Sequence, residues 1–288
     1  MDESSVIMKA RNFVRSFPHL MFPVSMELYV EAIGAVLHYE TDIPHNESGH
    51  SLPIKGKWHI IVNKGHLEER QRFTICHELG HIYLDLPNEH AGMSDSQRYT
   101  KRPQSEVLCD IFAAEILLPA DHFRPLVNDA EIGFDAVIAL GKQFKASLTA
   151  TGSRFSALNA NPCTFVLSEH GIVRYATRSP SLREMGAWVQ TGYRVPPSSL
   201  AAQGAQLVRD GPCEVDPTEW FEDWTRGGTL YEESRYLPEW DRMLSLLWLE
   251  EDSLSARGST ASEEAEDSDP YCRELDGTLP WPDRTKER

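Results

Sequence analysis

Residues 72–86 read RFTICHELGHIYLDL and contain His77-Glu78-Leu79-Gly80-His81, two histidines four residues apart with a glutamate directly after the first. This stretch constrains the fold because its chemistry works only on a helix. Four residues is about one helical turn, so both imidazoles leave the same face. They can then share one Zn²⁺, with the glutamate placed to take a proton from water acidified by the cation. The flanks supply the helix: Phe73, Ile75, Leu79, Ile82, Leu84 and Leu86 are apolar, and Pro87 is read as its end. A bare pattern of this kind also arises by chance, so the rest of the chain decides what it means.

The 288 residues, 41% of them hydrophobic, can bury a core and allow one large domain or two to three small ones. The formal net charge of −16 argues against a general nucleic-acid or anionic-membrane binder, because phosphates call for a basic surface. Half of that charge sits in residues 250–276, where ten acids face only Arg257 and Arg273. Five scattered cysteines (Cys76, Cys109, Cys163, Cys213, Cys272) form no CxxC pair, which fits a reducing cytoplasm better than a disulfide framework. The acidic start MDESSVIMKARNF is unlike a secretory signal, and no stretch approaches the ~20 apolar residues of a membrane span.

Before the motif, residues 3–16 read as a helix with Ile7, Ala10, Phe13 and Val14 inward. A second helix is expected from Ser25 to Gly34, then strands at 36–39 and 58–63. The intervening TDIPHNESGHSLPIKG, rich in Pro, Gly, Ser and Asn, reads as a loop. Strands followed by the His-bearing helix predict a small sheet packed on it, whose edge could hold an extended peptide by strand addition. Residues 87–105 are polar and read as a loop over the cleft, and SEVLCDIFAAEILLP (105–119) is a second strong helix.

A catalytic zinc site takes three protein ligands and keeps an open position. The extended metzincin pattern would need Gly and His where this chain has Leu84 and Pro87, which excludes that class. Glu106 and Asp110 lie at i and i+4 on one face of the second helix. Glu106 is the candidate third ligand, and Asp110 the candidate partner for the outer nitrogen of a zinc histidine. Alone, Glu106 would read as a solvated charge favourable to the helix dipole; beside the His helix the ligand reading wins. Glu115 is a rival better read as an ion-pair residue, and His90 and His122 lack useful spacing. Glu78 is the candidate base that passes a proton to the leaving amine. Tyr99 and His90 are candidate oxyanion donors from the polar loop.

RFTICHELGHIYL followed by Glu106-Val-Leu-Cys-Asp and IFAAEILLP resembles the ImmA/IrrE family of bacterial metallopeptidases, whose two helices carry Arg-Phe-x-x-x-His-Glu-x-x-His and Glu-x-x-Ala-Asn-x-Phe-Ala. His77, Glu78, His81 and Glu106 match its motifs, while Cys109-Asp110 stands where the family favours Ala-Asn. The resemblance covers roughly residues 20–120. It implies an α+β, zincin-like peptidase core: a zinc (or manganese) endopeptidase that cleaves a helix-turn-helix repressor, in stress response or mobile-element control.

Residues 132–158 read as short helices, similar to the helix-turn-helix-like segment that follows the core in this family. With only Lys142, Lys145 and Arg154 as basic residues there, a buttress is favoured over DNA binding. A hairpin is expected through Glu169-His170-Gly171, and a helix over the apolar MLSLLWL near Trp248. Five of the seven tryptophans fall in this part and are read as core. Some relatives carry a GAF-type sensory domain here, though no ligand signature stands out. The expected organisation is a metallopeptidase domain (1–125), a helical segment (126–160), a small α+β domain (161–250) and an acidic disordered tail (251–288). Two alternatives are a non-catalytic metal-binding regulator acting through protein contacts, which the intact motif residues disfavour, and a DNA-binding regulator, which the charge disfavours.

Overall fold

A computed structural model describes residues 1–44, 47–88, 103–207, 211–238 and 240–250. They fall into two compact units, Met1–Phe123 with Ile138–Thr151, and Arg124–Val137 with residues 152–250. The chain is a mixed α+β protein. Among the described residues no helix is long and apolar enough to cross a membrane.

The first unit opens with helices α1 (Glu3–Arg15) and α2 (Met26–Ala32). Val6 rather than Ile7 joins Ala10, Phe13 and Val14 on the buried face of α1. Strands β1 (Val36–Glu40), β2 (Gly49–Ile54) and β3 (Lys57–Asn63) follow, ordered β1-β3-β2, with β1 parallel and β2 antiparallel to β3. Strand β2 arises inside the segment read as a loop. Its Pro53 disguised it, yet a proline is tolerated there because β2 is an edge strand.

The His-bearing helix α3 (Glu68–Leu84) is buried continuously from Arg72 to His81. A helix buried on every side needs cover on every side. The sheet supplies one side through Ile60 and Val62, both fully buried, and α4 (Gln104–Leu117) supplies another. The α3–α4 approach is set at Gly80: a Cβ there would stand 3.1 Å from the Cα of Cys109 and 3.2 Å from its Cβ. Phe13, Tyr83 and Phe112 pack with ring centroids 5.2–6.0 Å apart and join α1, α3 and α4. Helix α3 ends at Asp85, which takes the left-handed conformation that Asp tolerates (φ 55°), so the chain turns two residues before Pro87.

Helices α5 (Ala120–Asp129), α6 (Phe134–Phe144) and α7 (Leu148–Leu158) come next. The second unit holds an all-antiparallel sheet of order β5-β4-β8-β7-β6, from β4 (Cys163–Glu169), β5 (Ile172–Arg178), β6 (Cys213–Val215), β7 (Leu230–Leu237) and β8 (Arg242–Leu249). The β4–β5 turn runs through His170 and Gly171, both at positive φ, as a tight hairpin asks.

One expectation is corrected here: MLSLLWL is strand β8, not a helix. Leu and Met favour helices, but β8 is the middle strand, buried on both faces from Arg242 to Leu247, and such a strand reads as a continuous apolar run. Trp220 and Trp224 lie in this unit's core, whereas Trp188 is 47% exposed and so departs from the core reading. Short helices α8 (Pro180–Glu184) and α9 (Pro217–Trp220) complete the unit.

Candidate metal centre

Helices α3 and α4 bring His77, His81 and Glu106 together, each under 5% exposed. His77 Nε2 lies 3.1 Å from His81 Nε2 and 3.2 Å from Glu106 Oε2, and His81 Nε2 lies 3.5 Å from Glu106 Oε1. Ligand atoms ~2.0–2.1 Å from a tetrahedral Zn²⁺ stand about 3.3–3.4 Å apart. The two imidazole nitrogens and the Glu106 carboxylate therefore have spacings close to those of one coordination sphere.

Each imidazole is turned by a partner at its other nitrogen. Asp110 Oδ1 accepts from His77 Nδ1 at 2.6 Å, and the Leu86 carbonyl accepts from His81 Nδ1 at 3.3 Å. Both acceptors favour the tautomer that leaves Nε2 as the ligand atom. The Leu86 carbonyl reaches His81 because Asp85 folds the chain back, with the Leu86 N–H donating to the His81 carbonyl. No side-chain pattern could reveal that partner, because it is backbone.

The site is strongly anionic, with Glu78, Glu106 and Asp110 all at most 2% exposed. At His77, burial is the largest single influence and opposes a positive charge. The Asp110 charge and hydrogen bond, the Glu106 hydrogen bond and the Glu78 charge together outweigh it and raise the imidazole pKa to about 10. Such a field favours a cation between these side chains, and the donor set of two imidazoles and a carboxylate suits Zn²⁺ or Mn²⁺.

Glu78 is buried beside the ligands. Two donors meet its Oε2: Ser51 Oγ from β2 at 2.7 Å and Asn88 Nδ2 at 3.3 Å. Both were missed from sequence. Ser51 could have been found through the alternation Gly49, Ser51, Pro53 against His50, Leu52, Ile54, which marks a strand with one face toward α3. Glu115 accepts from Arg11 Nε and the Ala120 N–H, both at 3.2 Å, and His122 sits against Phe22 with centroids 5.0 Å apart; neither joins the ligand group. Tyr99 and His90 lie outside the described residues, as does the acidic tail.

The fold and these residues are those of a mixed α+β domain with a candidate metal site borne on two helices. Residues 30–156 match the family model for the peptidase M78 family, described as the IrrE N-terminal-like domain. The family model covers less than half of the chain, and over that stretch the chain is similar to the IrrE-type peptidase domain. Its similarity to the radiation response metalloprotease IrrE of Deinococcus radiodurans is 28% identity over 107 residues, 36% of this chain and 31% of that protein's length. The chain thus spans about a third of the curated relative it matches. A solved structure, a Mycobacterium tuberculosis transcriptional regulator, aligns over 85% of this chain and 76% of its own with TM-score 0.57 at 13% identity, which shows a shared fold alone.

Proposed function

We propose that this chain is a metal-dependent endopeptidase in which His77, His81 and Glu106 hold the cation and Glu78 is the catalytic base. The observation that carries the reading is the convergence of two buried imidazole nitrogens, 3.1 Å apart, on the buried Glu106 carboxylate, whose two oxygens lie 3.2 and 3.5 Å from them, beside a second buried glutamate. A bound divalent cation supplies Lewis acidity at the scissile carbonyl and lowers the pKa of water. Asp110 holds His77 in one orientation, and Leu86 does so for His81. Glu78 takes a proton at its carboxylate and returns it to the leaving amine.

The proposed substrate is a helix-turn-helix repressor, cleaved in the cytoplasm to derepress genes in stress response or mobile-element control. The match of residues 30–156 to the IrrE N-terminal-like model supports this, and the buried free thiols Cys76, Cys109 and Cys163 suit a reducing compartment. The residue assignments extend to a four-part organisation, with residues 126–160 as a helical buttress and 161–250 as an accessory domain. Metal analysis tests the centre: about one Zn²⁺ or Mn²⁺ per chain, lost in His77→Ala, is expected, and a native metal-free protein would refute it. Co-expression with a helix-turn-helix regulator tests the reaction. Wild type should cleave it and Glu78→Gln should not; cleavage surviving in Glu78→Gln would remove Glu78 as the base.

A further inference from the structure

The terminal torsion of a glutamate is broad, so burial alone does not fix the plane of its carboxylate. At Glu78 that plane matters, because proton transfer requires an oxygen held at hydrogen-bond reach of the reacting group. Ser51 Oγ, 2.7 Å from Oε2, comes from a different element, and its position is set by the pairing of Ser51 with Ile60 across β2 and β3. Ile60 is fully buried on the α3 side of the sheet, so Ser51 shares the face that meets the helix.

The strand and the helix also run in step. Gly49 approaches Thr74 so closely that a Cβ would stand 2.8 Å from its methyl carbon and 2.5 Å from the Ile61 carbonyl oxygen. Two residues further along β2, Ser51 meets Glu78, which is four residues beyond Thr74. Two strand residues advance about 6.8 Å and four helix residues about 6.0 Å. The contact at Gly49 therefore brings Ser51 onto Glu78. Asn88, beyond the end of α3, reaches the same oxygen from the other side of the chain turn.

We infer that β2 is a positioning element for the proposed peptidase reaction: Ser51 sets the plane of the Glu78 carboxylate, Asn88 assists, and the close seat at Gly49 fixes the strand. The inference rests on the peptidase reading but can be tested apart from it. The full chain is loaded with Co²⁺, and acetohydroxamate, which chelates the metal and offers a proton to a neighbouring carboxylate, is titrated by visible absorption.

Ser51→Ala is expected to keep the Co²⁺ content and the ligand-free spectrum while its acetohydroxamate Kd rises about tenfold, the scale of one hydrogen bond to a charged group. Ser51→Thr, which keeps the hydroxyl, should restore binding. Gly49→Ala, which pushes the strand off the helix with Ser51 intact, should reproduce the loss. Where a regulator is cleaved, Ser51→Ala should lower kcat with KM unchanged. Acetohydroxamate binding by Ser51→Ala equal to wild type, while Glu78→Gln binds weakly, would overturn the inference. Equal binding by wild type and Glu78→Gln would overturn it as well, since Glu78 would not face the bound probe. Absence of cleavage by wild type would count against the peptidase reading and leave the titration to decide Ser51.

Discussion

Asp110 offers a sharp test of how the metal centre is built. Its carboxylate accepts from His77 Nδ1 at 2.6 Å in a site where both side chains are nearly inaccessible. A hydrogen bond to a charged group is worth about 1.5–3 kcal/mol, which corresponds to about 10- to 150-fold in affinity. Asp110→Ala removes the acceptor and frees the His77 ring, so Zn²⁺ affinity should fall by that factor. Asp110→Asn keeps an acceptor oxygen for the Nδ1–H and loses only the charge. Because a charge-assisted bond is roughly twice as strong as a neutral one, the cost should be about three- to tenfold. The assay is chelator competition at fixed pH and ionic strength, with near-ultraviolet circular dichroism to show that both variants keep native packing. The order wild type, Asn, Ala is the signature of an orienting acceptor. An Asp110→Ala protein that binds Zn²⁺ within twofold of wild type would refute the reasoning, and so would an Asn variant weaker than Ala.

Three further perturbations read other levels of the structure. Gly80→Ala gains helix propensity of about 1 kcal/mol but sets a methyl group 3.1 Å from the Cys109 Cα. Overpacking of about 1–3 kcal/mol should prevail, lowering both the thermal midpoint and metal affinity; an unchanged midpoint would mean that the helices can separate freely. Leu247→Ala in the middle strand β8, at a fully buried position, should destabilise by about 2–5 kcal/mol in denaturant unfolding. A loss under 1 kcal/mol would contradict its place in the core. Glu78→Gln should retain one metal per chain and lose roughly 10²–10⁴ in the rate of regulator cleavage, measured by single-turnover gel assay; a loss under tenfold would assign the proton to another group.

The parts of the site that are legible in the sequence are those carried by helical spacing. His77 and His81 lie one turn apart, as do Glu106 and Asp110, and a helix fixes what such pairs share. The apolar runs around them are long enough to exclude a strand. What stays hidden depends on pairing between distant segments. β2 looks like a loop because Pro53 and its glycines carry turn signals, and only its register with β3 makes Ser51 a neighbour of Glu78. The error at β8 has the opposite origin: a seven-residue run with six apolar residues suits a buried helix and a central strand equally, and burial on both faces decided for the strand. The Leu86 carbonyl that orients His81 depends on the left-handed turn at Asp85.

These features meet at the crossing of α3 and α4. The candidate ligands are split between the helices, with His77 and His81 on one and Glu106 on the other, and Gly80 lies between the histidines in close approach to Cys109 of α4. Three buried carboxylates beside one imidazole pair would repel one another without positive charge between them, which is why His77 is driven toward its charged form. A cation held there answers the same electrostatic demand and ties α3 to α4. Its binding free energy then appears as stability of the unit, by about 2.7 kcal/mol at a free metal concentration one hundred times Kd. Site chemistry and fold stability are thus one property of a single helix pair. That accounts for His77, Glu78 and His81 being buried on α3 although they are polar: each has a hydrogen-bond partner within the site.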